Sequence, residues 1–246
     1  MENKEVKKGR RVAKVIANSG YCSRREAEKL IEDGIVKVNG KVIDNPATLI
    51  TDHSIKINDK LINQNQKPKV WVFHKPKNTI VSNNDPQNRK KIFDILPENL
   101  PRVITIGRLD INTEGLLLLT NNGDISRHIE LPKTAWSRVY RARVFGKIDM
   151  TELQKLDKGI KIDGIKYGSI KIEMEVEKEG SLNSWLKVTL KEGKNREIKK
   201  VLEHFGLQVS RLIRISFGPF HLGSLLVGEV RPVDDKVLES FLGKLL

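Results

Sequence analysis

A polar stretch about a quarter of the way along this 246-residue chain constrains how it can fold. Residues 61–69, LINQNQKPK, hold two apolar side chains at the start and a proline near the end, a composition typical of a linker. The residues before it follow helical patterns, whereas short strand patterns dominate after it. We therefore expect two domains, a small one at 1–66 and a larger one at 67–246.

The segment before the linker predicts two helices followed by a hairpin. Residues 11–19 place apolar side chains at helical spacing and end at a Ser-Gly pair. Ser23 and Glu26 form the Ser-x-x-Glu pattern of a capping box, which predicts a second helix ending near Gly34. The Asn-Gly pair at 39–40 lies between short valine-containing strand patterns and favours the type I′ turn of a tight hairpin.

The segment after the linker predicts an extensive sheet. Two helical patterns interrupt its strands, one opening at Asp149 and Glu152 and the other at about 196–205, before Gly206. The strand patterns read VWVFHK, VITIG, GLLLLT, RVYRARVFG, GSIKIEMEVE and SWLKVTL. We expect an α+β protein, with a small helix-hairpin domain followed by a domain built on a mixed, mostly antiparallel sheet.

The balance of charge points to a polyanionic partner. The chain has 45 Lys and Arg against 31 Asp and Glu, a net charge of +14 and a pI near 9.8. Because 13 basic and 9 acidic residues precede position 67, both predicted domains are positive. Such a field attracts nucleic acids, so we expect the polyanion to contact both domains. The alternative is an ordinary basic protein with no such partner.

Several classes of protein are excluded by what the sequence lacks. No apolar run is long enough to span a bilayer, and the charged N-terminal residues contain no apolar core of a secretory signal. We therefore expect a cytoplasmic protein, a monomer, with no membrane partner. The lone Cys22 can form neither an internal disulfide nor a thiolate zinc site. The five histidines lack the spacing of metal ligands, so no metal is expected.

A compact basic surface is predicted on the second helix. Arg24, Arg25 and Lys29 lie on the face opposite its apolar residues, where they could bind phosphates without reading base sequence. An ordinary solvated helix face is the alternative. The surrounding residues, SGYCSRREAEKLIEDGIVKVNGKVI, closely resemble an S4 RNA-binding domain over about 50 residues. The resemblance implies that this module grips structured RNA through its backbone.

A second informative segment, IGRLDINTEGLLLLTNNGD, covers residues 106–124. Arg108 and Asp110 precede the apolar run 116–119. Burying a carboxylate beside the start of a buried strand costs free energy unless the charge is paired. We therefore expect Asp110 to pair with a cation. The alternative from spacing alone is a turn aspartate that accepts hydrogen bonds from nearby amides.

This segment closely resembles the catalytic motif of the RsuA/RluB branch of RNA pseudouridine synthases. Further segments resemble that branch in the same order, so the resemblance covers nearly the whole chain. These segments are KPKNTIVSNNDPQNRKKIFDILP, the Arg138-Val139-Tyr140 strand, WLKVTLKEGKNREIKKVLEHFG and VSRLIRISFGPF. Within the branch, NSWLKVTLKEGKNRE and FDILP look most like the RluB group, which modifies large-subunit ribosomal RNA.

Carried over residue by residue, the resemblance implies a catalytic site. It makes Asp110 the catalytic carboxylate and Tyr140 the ring that stacks on the target uracil. Arg108 would fill the stack when the target nucleotide is flipped out. Lys199 would pair with the aspartate, and Ile198 would lie against the base. The implied chemistry converts a uridine to pseudouridine and needs no cofactor.

Two positions depart from the branch. Asn78 stands where related sequences often have glycine, and asparagine tolerates a left-handed backbone. Lys199 stands where many have arginine. Lysine keeps the positive charge but lacks the planar guanidinium, which can donate two parallel hydrogen bonds to a carboxylate.

Helical geometry bears on the pairing of Lys199 independently of the resemblance. At ~100° per residue, Lys199 borders the stripe formed by Ile198, Val201, Leu202 and Phe205. Arg196 and Lys200 fall on the opposite side, so we expect them to face solvent or RNA phosphate.

The resemblance implies an enzyme that isomerises one uridine of ribosomal RNA, in the large subunit (23S rRNA or an assembly intermediate). Two alternatives stay open. One is an RsuA-like or RluF-like synthase acting on another ribosomal RNA site, and the other is a non-catalytic, ribosome-associated RNA-binding protein. Whether Asp110 attacks C1′ or removes a proton from C2′ is also open.

Overall fold

The structure is a computed structural model that describes residues 9–51, 53–64, 66–176 and 182–243. The basic N-terminal extension predicted before the S4-like module falls at residues 1–8, which lie outside the described residues. No helix formed by the described residues is long and apolar enough to cross a membrane.

The N-terminal part contains two helices and six short strands, and its elements match the predicted helix-helix-hairpin order. In chain order they are β1 (Arg10–Arg11), α1 (Val12–Asn18), α2 (Arg24–Glu32), β2 (Val36–Val38), β3 (Lys41–Val42), β4 (Leu49–Ile50), β5 (Ile55–Ile57) and β6 (Lys60–Leu61). The predicted capping box is present at the start of α2, where the Ser23 side chain accepts from the Glu26 N–H and the Glu26 carboxylate accepts from the Ser23 N–H. Asn39 and Gly40 both have positive φ, as a type I′ turn requires.

The remaining elements belong to the larger part. They are β7 (Val70–Lys75), β8 (Ile104–Ile106), β9 (Thr113–Thr120), α3 (Gly123–Glu130), β10 (Arg138–Phe145), α4 (Met150–Gln154), β11 (Ile160–Ile162), β12 (Ile165–Tyr167), β13 (Ile170–Val176), β14 (Asn183–Leu190), α5 (Glu197–His204), β15 (Gln208–Phe217), β16 (Phe220–His221), β17 (Val230–Pro232) and α6 (Asp235–Leu242). Short 3-10 helices lie at Ile92–Asp94, Pro132–Thr134 and Lys155–Lys158.

The central sheet has the order β13-β14-β10-β15-β9-β7-β17, with β8 added to β9 and β16 added to β15. Among its described strands, β9 and β15 pair in parallel and the other pairings are antiparallel. The prediction of a mixed, mostly antiparallel sheet in an α+β fold is therefore confirmed. The order also shows that several neighbouring strands are far apart in sequence rather than joined as hairpins.

The apolar run Leu116–Leu119 is unbroken because both faces of β9 are covered. Leu117 and Leu119 belong to the core that also contains Tyr140, whereas Leu116 and Leu118 belong to the core on the other side with Phe217. Strands buried on both faces lose the usual alternation of apolar and polar residues. Strand β9 therefore lies in the interior of the fold, between β7 and β15.

Two helices were missing from the sequence prediction, which placed only two helices after the linker. Helix α3 begins where the Asn122 side chain accepts from the N–H groups of Asp124 and Ile125. Helix α6 begins where the Asp234 side chain accepts from the Lys236 N–H. The capping residues Asn122 and Asp234 were the signals available in the sequence.

The two parts of the chain contact one another where α1 meets the beginning of α3. The ammonium of Lys14 lies 2.5 Å from the Asp124 carboxylate, and the Asn18 side chain accepts from the Gly123 N–H at 3.3 Å. The Lys14 pair is about one-third exposed, so it contributes at most about 1 kcal/mol. Its geometry nevertheless places the N-terminal module beside the end of β9.

Candidate active site

A cavity of about 640 Å³ lies beside the ends of β9, β10 and β15 and the start of α5. Its walls come from four segments: the loop after β7, the turn before β9, the sheet itself and the loop into α5. Every residue that sequence reasoning assigned to the reacting centre lines this cavity, namely Arg108, Asp110, Tyr140, Ile198 and Lys199. The RNA-binding candidate Arg196 lines it as well. These residues are up to 91 positions apart in sequence, and the fold brings them to one place.

Asp110 lies in the turn between β8 and β9 and is half-buried. Its carbonyl accepts from the Thr113 N–H at 3.0 Å, which closes the turn. The loop after β7 supports it, because the N–H of Asn78 donates to the carbonyl of Ile111 at 2.9 Å. Asn78 has φ +61°, so the expectation that it adopts a left-handed backbone is confirmed.

Lys75 braces the same turn, although sequence reasoning did not select it. Its ammonium is completely buried at the end of β7 and donates to the carbonyls of Pro76, Ile111 and Thr113 at 2.9–3.2 Å. Burial lowers the pKa of Lys75 to about 8, although the negative charges of Asp110 and Glu114 act to raise it. The sequence signal that could have identified Lys75 is its position at the end of the apolar strand pattern VWVFHK.

Tyr140 lies on β10, between β14 and β15. It is buried, and the strand pairings place it opposite Val188 on one side and Arg214 on the other. Its ring belongs to the same buried cluster as Leu117 and Leu119 of β9. A buried aromatic ring at the cavity wall offers a flat apolar surface to a planar ligand.

Helix α5 supplies the opposite wall. Ile198, Val201 and Leu202 are buried, Lys199 is half-buried and Lys200 is exposed, so the predicted helical phase is confirmed for these residues. Arg196 does not follow that phase. It precedes the helix with a left-handed backbone (φ +52°), and although exposed it lines the cavity.

The predicted pairing of Lys199 with Asp110 is not present as an ion pair in the part of the chain that the structure describes. Both side chains line the same cavity. The two groups therefore share a space without being in contact.

Comparison with known proteins identifies the fold and the chemistry that such a cavity serves. The family model described as RNA pseudouridylate synthase matches residues 69–204, and the S4 domain model matches residues 10–55. The chain belongs to the RNA pseudouridylate synthase family. It has the RsuA/RluB arrangement, in which an S4 domain precedes the synthase domain, and it is an isomerase acting on RNA uridine.

Relatives of this synthase cover most of its length. The uncharacterized RNA pseudouridine synthase of Rickettsia felis is 49% identical over 232 residues, which are 94% of this chain and 99% of that protein. The ribosomal large subunit pseudouridine synthase B of Haemophilus influenzae is 39% identical, covering 89% of this chain and 63% of that protein. A solved pseudouridylate synthase structure matches with a TM-score of 0.65 at 26% identity, covering 93% of this chain and 98% of that one.

Several more charged residues of the synthase line its cavity and were not found from sequence, among them Glu197 and Arg138. Glu197 is 3% exposed; one carboxylate oxygen accepts from the Lys194 N–H at 2.9 Å, and the other is buried without a hydrogen-bond partner among the described residues. Burial first, and then the neighbouring Glu192, raise the pKa of Glu197 to about 7. Arg138 is half-buried and donates to the Lys191 carbonyl at 2.7 Å, and burial lowers its pKa.

The predicted RNA-binding residues outside the cavity are at the surface. Arg24, Arg25 and Lys29 are exposed on α2, and Lys200 is exposed on α5. Arg24 forms an i,i+4 pair with Glu28 at 3.2 Å, so part of its charge is neutralised in the free protein. The others are available to an incoming polyanion as far as the described contacts show.

Proposed function

We propose that this synthase converts one uridine of large-subunit (23S) ribosomal RNA to pseudouridine, acting as a cytoplasmic monomer on the RNA or on an assembly intermediate. The observation that carries the proposal is the meeting of Asp110, Tyr140 and several cations at one cavity. The names of the Haemophilus influenzae and Salmonella typhi relatives, both ribosomal large subunit pseudouridine synthase B, support the choice of RNA.

The reaction rearranges bonds within one nucleotide. The N1–C1′ bond breaks, with its electron pair leaving on uracil; the ring turns, and C5 bonds to C1′. The proton on C5 is released, and N1 gains one. Departing uracil spreads negative charge over its ring, so one carboxylate suffices where glycosidases use two. Asp110 either attacks C1′ or removes a proton from C2′, and both routes require it to be ionised.

The other cavity residues have complementary roles in this proposal. Tyr140 stacks on the flipped uracil, and Ile198 closes the apolar side of the base pocket. Arg108 is exposed at the cavity mouth, where it can occupy the gap left in the RNA helix. Extruding a base costs a few kcal/mol, which stacking and gap filling offset.

In this proposal, Lys199 supplies the opposite charge for the Asp110 carboxylate once RNA excludes water from the cavity. An opposite charge nearby lowers the pKa of a carboxyl against the effect of burial. The free protein needs no direct ion pair, since Asp110 is only half-buried there. RNA binding would remove the solvent that separates the two groups.

We propose that residues 1–66 act as the S4 RNA-binding domain and residues 67–246 as the catalytic domain. Arg24, Arg25 and Lys29 would contact phosphates from the first domain, and Arg196 and Lys200 from the second. Replacing the three residues of α2 by alanine should make the logarithmic salt dependence of RNA binding shallower by about 2–3, because each lost phosphate contact removes about 0.7–0.9. An unchanged slope would show that α2 does not contact RNA.

The catalytic assignment is tested with Asp110→Asn and a matched control, Asp157→Asn. Asp157 is exposed and does not line the cavity. With ribosomal RNA labelled with tritium at C5 of uridine, Asp110→Asn should bind RNA normally but release no tritium, while the control keeps wild-type turnover. Appreciable release by purified Asp110→Asn would refute the role of Asp110.

Mapping pseudouridine in ribosomal RNA from cells with and without this protein tests the substrate. Loss of one large-subunit pseudouridine is expected. Loss at a small-subunit site would indicate an RsuA-like specificity instead. Unchanged pseudouridine together with retained ribosome association would indicate a non-catalytic binding protein.

A further inference from the structure

One buried guanidinium at the cavity wall has an unused donor. Arg214 is 3% exposed, and its Nε donates to the carbonyl of Leu116 at 2.7 Å. Its Nη2 is buried and has no hydrogen-bond partner among the described residues. No carboxylate in the described ranges forms an ion pair with it. A buried charge with an unpaired donor is costly, so this group is expected to have a partner when the cavity is occupied.

A second guanidinium lies beside it. The Cζ atoms of Arg138 and Arg214 lie 4.6 and 5.2 Å from the centroid of the same ring, Phe217. The positive charge of Arg214 contributes to lowering the pKa of Arg138, after burial, which is the larger cause. Two cations on one ring repel each other unless an anion lies near both. The cavity that both residues line can admit such an anion.

Two acidic side chains, Glu130 and Glu197, act on Arg138 without forming an ion pair with it in the described part of the chain. The Glu130 carboxylate accepts from the Gly107 N–H at 2.7 Å and from the Ser126 hydroxyl at 2.9 Å. The Glu197 carboxylate accepts from the Lys194 N–H. Neither forms an ion pair with Arg138 or Arg214 within the described structure. The positive charge at this wall is therefore balanced only in part, and it can attract an anionic ligand.

Arg214 is held rigidly by the motif that carries Asp110. A Cβ on Gly115 would lie 2.3 Å from the Arg214 carbonyl oxygen, so only glycine lets β9 and β15 approach this closely. The next residue, Leu116, accepts the Nε hydrogen bond. The preceding residue, Glu114, binds Arg211 through two 2.9 Å hydrogen bonds. Three consecutive residues thus fix the position of Arg214 relative to the catalytic turn.

The placement of Arg214 also sets it beside the base pocket, because it lies opposite Tyr140 in the pairing of β10 with β15. We propose that Nη2 of Arg214, assisted by Arg138, binds an anionic oxygen of the flipped nucleotide. This inference deepens the proposed function and rests on it. The oxygen belongs either to a phosphate flanking the target uridine or to the uracil ring, which takes up the electron pair of the broken N1–C1′ bond.

The test compares Arg214→Lys and Arg214→Gln with wild-type protein and with Arg143→Lys as the control. Arg143 lies on β10, is exposed and does not line the cavity. The substrate is an unmodified transcript of large-subunit ribosomal RNA with tritium at C5 of uridine. Binding is measured as Kd over a range of salt concentrations, and chemistry as the single-turnover rate at saturating protein.

The two sources of the oxygen give different results. If it belongs to a phosphate, both Arg214 variants should raise Kd at least 10-fold, and Arg214→Gln should make the logarithmic salt dependence shallower by about 0.7–0.9. The rate at saturation should then change less than 3-fold. If it belongs to uracil, Kd should stay within 3-fold, while the rate should fall about 100- to 1,000-fold, as when one donor to a developing oxyanion is removed.

Wild-type Kd, salt slope and single-turnover rate in both folded variants would overturn the assignment. Loss of cooperative unfolding in Arg214→Lys as well as Arg214→Gln would also overturn it, since the guanidinium would then serve the fold. The proposed function is tested separately, by measuring tritium release by the wild-type protein. If the wild-type protein releases none, the proposed function fails, and an unchanged Kd and salt slope in the variants would still refute binding of a phosphate by Arg214.

Discussion

Replacing Lys75 with methionine tests how the turn that contains Asp110 is held. Methionine keeps an unbranched side chain of similar volume but removes the ammonium, which leaves the carbonyls of Pro76, Ile111 and Thr113 without their donor. A buried group that loses its hydrogen bond costs about 1–3 kcal/mol. The same substitution removes the cost of burying a charge, so we expect a net loss of about 2 kcal/mol at pH 7.

The pH dependence of this difference gives a sharper signature. Lys75 has a pKa of about 8 in the folded chain, against an ordinary value of 10.5. Between these values the unfolded chain binds a proton that the folded chain does not, so the contribution of Lys75 to stability rises with pH. At 1.36 kcal/mol per pKa unit, the difference between wild type and Lys75→Met should widen by roughly 2–3 kcal/mol by pH 10.

Urea unfolding of both proteins from pH 7 to pH 10 measures this difference, with Lys77→Met as the matched control because Lys77 is exposed. The control should follow the wild type at every pH. Lys75→Met should also lower the single-turnover rate, since the Asp110 turn loses its brace. A stability difference that stays constant across the range, or that is absent at pH 7, would refute this account.

Three further substitutions test other contacts of the site. Glu197→Gln should remove a decline in stability between pH 4.5 and about pH 7, because the folded carboxyl binds a proton that the unfolded one has released; unfolding at pH 5 and pH 8 measures it. Gly115→Ala should abolish cooperative folding, detected by calorimetry, because its Cβ would collide with the backbone of Arg214. Glu114→Gln should cost about 1–2 kcal/mol in urea unfolding, because it removes the charge and one of the two oxygens that accept from Arg211, and less at 1 M salt.

Local features of the fold could be predicted because neighbouring residues determine them. Strand β7 covers 70–75, as the pattern VWVFHK indicates, and the Ser23–Glu26 capping box is present. The left-handed backbone of Asn78 follows from the chemistry of that residue. Each of these depends on contacts within a few positions, so pattern and propensity were sufficient.

Long-range pairing could not be predicted in the same way. The parallel contact between β9 and β15 joins residues 113–115 to residues 212–214. Nothing in either segment alone identifies its partner, and residues 208–217 were not among the predicted strand patterns. Arg196 is exposed, as expected, but it precedes α5, so the helical wheel could not show that it also lines the cavity.

The candidate site was only partly predictable for a related reason. The resemblance supplied Asp110, Tyr140 and Lys199, which meet at the cavity. Lys75 and Arg214 were overlooked, since a charged residue in a strand pattern is normally interpreted as facing solvent. Their burial depends on neighbouring strands and loops that the local sequence does not reveal.

The pairing of β9 with β15 also determines when the protein becomes active during synthesis. Glu114 and Arg211 are 97 residues apart, so the catalytic turn cannot acquire its flanking strand until most of the chain has left the ribosome. Contacts of such high sequence separation form late and slow folding, because a long loop must close first. A nascent chain released before β15 would carry the S4 module and the Asp110 motif without a finished cavity. RNA binding can therefore precede catalytic competence in the life of each molecule.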